Sequence, residues 1–199
     1  MSDNDFLGVV KEFSSYDAVT YQYFHQLFHN RTIIFNQEVD ESLIETVYLP
    51  LLDFENDDNQ KPVTLILNSP GGSVSDGFFL AHYLRTYKKK LNILVTGYAA
   101  SMAAVILAGT ANNENITRMC YPSTYALIHD GYIAIAPAES KTAGDIMAFN
   151  ERVDKSIRDF ILENTKITAE LYDSQARHQW FLSADEMLEY GMIDKILGK

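Results

Sequence analysis

Apolar positions along the chain follow two rhythms. Between residues 16 and 29, Tyr21, Phe24, Leu27 and Phe28 recur at the three- and four-residue spacing of one helix face. "TIIF" (32–35) is an apolar run of strand length. Asp40 then suits a helix start, because Leu43, Ile44, Val47, Tyr48, Leu51 and Leu52 again share one helical face. Pro50 is placed to kink that helix or end it early, and "FENDDNQK" reads as a polar turn. Three later runs, "PVTLIL" (62–67), "NILVT" (92–96) and "TYALI" (124–128), are apolar throughout or nearly so, the pattern of strands covered on both faces. The loop "NSPGGSVSDG" and a helix through Leu84 follow the first run. A helix beginning near Ser101 follows the second, and the third ends at His129. Helical spacing returns over 143–162, and "SADEMLEYGMIDKIL" closes the chain. Strand, loop and helix in repetition predict βαβ units and a mostly parallel sheet, an α/β fold. No linker or internal repeat divides the chain, so 1–199 reads as a single domain, with 1–15 as a flexible N-terminal segment.

Composition narrows the function classes. A chain of 199 residues buries one sizeable core without disulfides. A net charge of −11 disfavours nucleic acid and anionic membranes as partners. The basic run Lys88-Lys89-Lys90 reads as a solvated helix end. The single cysteine, Cys120, reads as a buried filler, and no His, Cys and carboxylate set has the spacing of metal ligands. The apolar run from Met102 to Gly109 is too short to span a bilayer. The N-terminus shows no secretory pattern, so the expected location is cytoplasmic.

The candidate chemistry lies where ligands of open α/β sheets bind, beyond the carboxyl ends of strands. The Gly-Gly loop, Ser101 and His129 each follow a strand. A serine hydroxyl needs a base to take its proton, and imidazole is suited to that near neutrality. Of five histidines, His129 alone ends a buried strand; His25, His29, His82 and His178 read as helix or surface residues. An oxyanion needs backbone N–H donors. The start of the helix after Ser101 offers Met102, and "SPGG" is a source of a second. Taken singly these signals are weak, since "PGG" is a common turn and Gly97 to Ser101 fits a close-packing junction. No Gly follows Ser101 as in a G-x-S-x-G elbow.

Four blocks, "LNSPGGSVSDG", "GYAASMAAVILAGT", "YALIH" and "FLSADEMLEYGMIDKIL", resemble the proteolytic subunits of the Clp protease, in that family's order from about Tyr16 onward. The resemblance implies a ClpP/crotonase-like fold of repeated β-β-α units. It implies a serine endopeptidase with Ser101 as nucleophile, His129 as base, and the amides of Gly72 and Met102 as oxyanion hole. It also implies cleavage of unfolded polypeptides inside a homo-oligomer, a heptameric ring or two stacked rings, fed by a separate AAA+ unfoldase, with no cofactor in the protease subunit.

Three departures qualify these expectations. The family's acid position is assigned to Gln175, with Asp173, two residues earlier, as the carboxylate to stand in for it. The stretch after His129, "HDGYIAIAPAESKTAGD", lacks the family's Gly pair. Thr64 and Ile66 replace aromatic residues common in the strand before "NSPGG". Two alternatives follow: a catalytically weak or regulatory ring subunit, and a crotonase-type acyl-CoA enzyme, hinted at by "TAGDI" (142–146).

Overall fold

The computed structural model describes residues 15–129, 140–176 and 178–199. Helix α1 (Ser15–His29) leads into strand β1 (Thr32–Phe35) through Arg31, which has φ 56°. The segment after Asp40 differs from the continuous helix its spacing predicts. Asp40 Oδ1 accepts the Ser42 N–H in a local turn, and a π-helical turn (Ile44–Tyr48) precedes α2 (Leu49–Asn56). Pro50 supplies the reason, because it has no N–H to donate to the preceding turn. The Leu49 N–H reaches five residues back to Ile44, and Pro50 falls in the first turn of α2, where no donor is needed. Pro50 therefore starts a helix and does not end one.

The remaining elements are β2 (Val63–Ser69), α3 (Val74–Thr86), β3 (Leu91–Ala100), α4 (Met102–Gly109), β4 (Ile116–Cys120) and β5 (Tyr125–Ile128). They continue with α5 (Ser140–Asn164), α6 (Ala169–Gln175), β6 (Trp180–Ser183), α7 (Ala184–Glu189) and β7 (Lys195–Ile196). Strands β1-β2-β3-β4-β7 form a parallel run, β5 also joins β3 in parallel, and β6 pairs antiparallel with β5.

Burial explains the order of the layers. In β2, Val63, Leu65 and Leu67 are fully buried while Thr64 and Ile66 are half-buried, so one face meets the main core and the other is thinly covered. Every residue of α4 is buried, as expected of a helix apolar on all sides. Glycine at 109 lets the ring of Phe160 from α5 approach closely. At the far edge the buried Arg118 donates to Asp194 Oδ1 at 2.6 Å and to the Gly191 carbonyl at 2.7 Å, so the charge is matched. The lysine run is less solvated than its composition predicts: Lys89 Nζ donates to the Asp57 carbonyl and Lys90 Nζ to that of Glu114.

Candidate active site

The position of Ser101 follows from an irregularity in β3. Leu67 pairs with Val95, but Ser69 pairs with Ala99, so β3 carries extra residues around Gly97. Asn68 fills the gap: its Oδ1 accepts the Tyr98 N–H at 3.0 Å and would lie 2.4 Å from a Cβ at Gly97. Before this bulge β3 pairs with β4, and beyond it with β5. The Ser101 N–H extends the second ladder, donating to the Leu127 carbonyl at 2.7 Å. Ser101 has φ 52° and ψ −122°, a combination rare for a residue with a side chain. It stands at the N-cap of α4, yet its hydroxyl makes no capping bond. The usual use of a serine at that place is thus not the one found here.

Against Ser101 lies the Gly-Gly turn. Gly71 has φ 87° and Gly72 φ 145°. A Cβ on Gly71 would stand 2.5 Å from the Ala100 carbonyl oxygen and 2.7 Å from the Met102 nitrogen, so only glycine permits this approach. Val39 pins the turn from outside. Its N–H donates to Gly71 O, and its carbonyl accepts the Ser73 N–H, both at 2.7 Å. The N–H of Gly72 takes part in neither bond. The first amides of α4, beginning with Met102, have no acceptor within the helix and lie at its positive dipole end.

A pocket of about 380 Å³ lies between these parts. Its lining joins Gly72, Ser101, Met102 and the half-buried His129, with Glu38 beside Gly72 and walls from Val74, Val105, Ile128, Ile157 and Ile161. Four of the five residues expected from the sequence therefore share one pocket.

Asp173 does not line it. It lies in α6, where Arg158 of α5 grips its carboxylate in a fork, Nε to Oδ1 at 2.6 Å and Nη2 to Oδ2 at 2.8 Å. Gln175 ends α6 on the exposed surface, with Nε2 3.5 Å from Ser174 Oγ. The strand register points elsewhere. β5 and β6 are antiparallel with Ile128 opposite Trp180, so one further step sets His129 opposite Gln179. Neither Asp173 nor Gln175 lines the pocket, and continuing the ladder by one step brings Gln179 nearest in register to His129.

The remaining candidates fall outside this constellation. Cys120 is buried, and burial pushes its thiol up to about 11, so it holds no ready thiolate. His25 and His29 lie 3.1 Å apart on α1, and neither they nor His82 and His178 line the pocket. Among the described residues no group of His, Cys, Asp and Glu is arranged to hold a metal ion, and no helix is long and apolar enough to cross a membrane. The Gly-pair question after His129 concerns residues 130–139, outside the described residues.

Comparison with known proteins follows the same lines. A family model described as Clp protease matches residues 15–199. The ATP-dependent Clp protease proteolytic subunit 1 of Shouchella clausii (strain KSM-K16) is 31% identical over 191 residues, covering 94% of this chain and 95% of that protein. The ATP-dependent Clp protease proteolytic subunit of Cyanophora paradoxa is 33% identical over 172 residues, 86% of each chain. That of Streptococcus sanguinis (strain SK36) is 29% identical over 192 residues, 96% of each.

Proposed function

The chain belongs to the Clp protease family, and from that premise we propose that it hydrolyses peptide bonds by serine chemistry in the pocket between Gly72, Ser101 and His129. The observation that carries this reading is Ser101 itself, a strained N-cap residue whose hydroxyl does not cap its helix and lines the same pocket as an imidazole. Ser101 Oγ attacks the substrate carbonyl carbon while His129 takes its proton. The oxyanion that forms is met by the N–H groups of Gly72 and Met102, which cost nothing to reorganise because the turn and helix already hold them. His129 returns the proton to the leaving amine, and water then releases the acyl group by the same route. Gln179 is the residue that the register supports as the neighbour orienting His129, in place of Asp173.

The names of the relatives describe proteolytic subunits of ATP-dependent proteases. Their likeness supports residues 15–199 as one cytoplasmic peptidase unit. It supports assembly into heptameric rings that accept unfolded polypeptide from an AAA+ unfoldase. The same comparisons do not favour a catalytically weak or regulatory ring subunit or a crotonase-type acyl-CoA enzyme. A fluorophosphonate probe tests the chemistry: it labels the assembled protein, and Ser101→Ala abolishes both labelling and hydrolysis of short peptides. Absence of labelling in assembled wild type overturns the reading.

A further inference from the structure

We infer that Glu38 makes the pocket selective for substrates with a lysine or arginine immediately before the scissile bond. This rests on the peptidase reading above. If the substrate carbonyl oxygen is held by Gly72 and Met102 with its carbon at Ser101, the side chain of that residue enters the hollow they border. The walls are aliphatic, from Val74, Val105, Ile157 and Ile161, and shed water from an equally aliphatic stem. Glu38 stands at the edge. It immediately precedes Val39, whose backbone clamps the Gly-Gly turn, and its Cγ would lie 2.8 Å from a Cβ on Gly72. The carboxylate is thus carried by the same clamp that fixes the oxyanion turn.

Charge decides which long side chains this shape prefers. An apolar pocket alone rejects a cation, because stripping water from an unpaired ammonium is costly. A carboxylate at the rim changes the sign: the stem is buried while the cationic end stays at the wet edge beside an opposite charge. Among the described residues no Lys or Arg forms an ion pair with Glu38, so its charge is available to a substrate. His129 is the other titratable residue in the lining, and Glu38 is its carboxylate. Because Glu38 is exposed, the attraction is screened and modest, and salt weakens it.

Two fluorogenic peptides that differ only in lysine or norleucine before the scissile bond isolate the ammonium group. In the full-length assembled protein, Glu38→Gln is expected to lower the lysine-to-norleucine ratio of kcat/KM by roughly twofold to fivefold. Glu38→Lys lowers it further, Glu38→Asp restores part of it, and added salt lowers it in wild type. An unchanged ratio in Glu38→Gln, with the norleucine peptide still cleaved, overturns this inference alone. Failure of wild type to cleave either peptide or to react with a fluorophosphonate overturns the peptidase reading beneath it as well.

Discussion

Ser101 shows how much of the site a single residue conveys and how much it conceals. Its hydroxyl, its place after an apolar run and its distance from "PGG" and His129 are legible in the sequence. Its φ of 52° is not, because that angle is imposed by β3, β5 and the Gly71 backbone together. Gln179 is the opposite case. The role proposed for it rests on pairing register, and a shift of one residue in a strand turns each side chain to the other face. An amide one step beyond the Ile128–Trp180 pair can orient the imidazole by hydrogen bonding but carries no charge to balance an imidazolium. Gln179→Asp is therefore expected to raise kcat/KM by at least about tenfold. A carboxylate also stabilises the protonated imidazole, so the acid limb of the pH–rate profile moves to higher pH. A purely structural role for residue 179 leaves that limb in place.

At the scale of elements, the apolar strands β1, β2, β3 and β5 and the helices after β2 and β3 are legible in the sequence, while β4, β6 and β7 are not. β4 contains Arg118, whose burial depends on Asp194 from a distant turn, and β7 is two residues long. By spacing alone Pro50 suits a kink or an early end, because spacing cannot show that a π turn precedes it. β6 ends on a feature that could have been recognised locally. Ser183 and Glu186 form a capping box, with the Ser183 N–H and Oγ donating to Glu186 Oε2 at 2.8 and 2.6 Å. These bonds hold the Glu186 carboxyl below its ordinary range. Ser183→Ala should lower stability by about 1 kcal/mol, measured by urea unfolding.

At the scale of the molecule, the sequence showed the class of fold and the edge where the chemistry gathers, but not the ties between its layers. One such tie joins the buried Arg31, before β1, to Asp57, after α2, with the guanidinium also lying 4.6 Å over the Phe54 ring. The Arg31 hydrogen bond holds the Asp57 carboxyl below its usual range. A carboxylate depressed in this way stabilises the fold above its unfolded value of about 4, and that contribution disappears as pH falls through the lower folded value. The urea midpoint of wild type should therefore fall more steeply below about pH 4 than that of Asp57→Asn, which lacks this titration.

The bond from the Ser101 N–H to the Leu127 carbonyl has a mechanical meaning. It ties Ser101 to β5 two residues before His129, so a rung of the central sheet sets the spacing of the two groups. A hinge cannot part them gently, since separating them means unzipping β3 from β5. Such a site works like a fixed die. Control of its output must then come at the entrance, through what is fed to it and how fast.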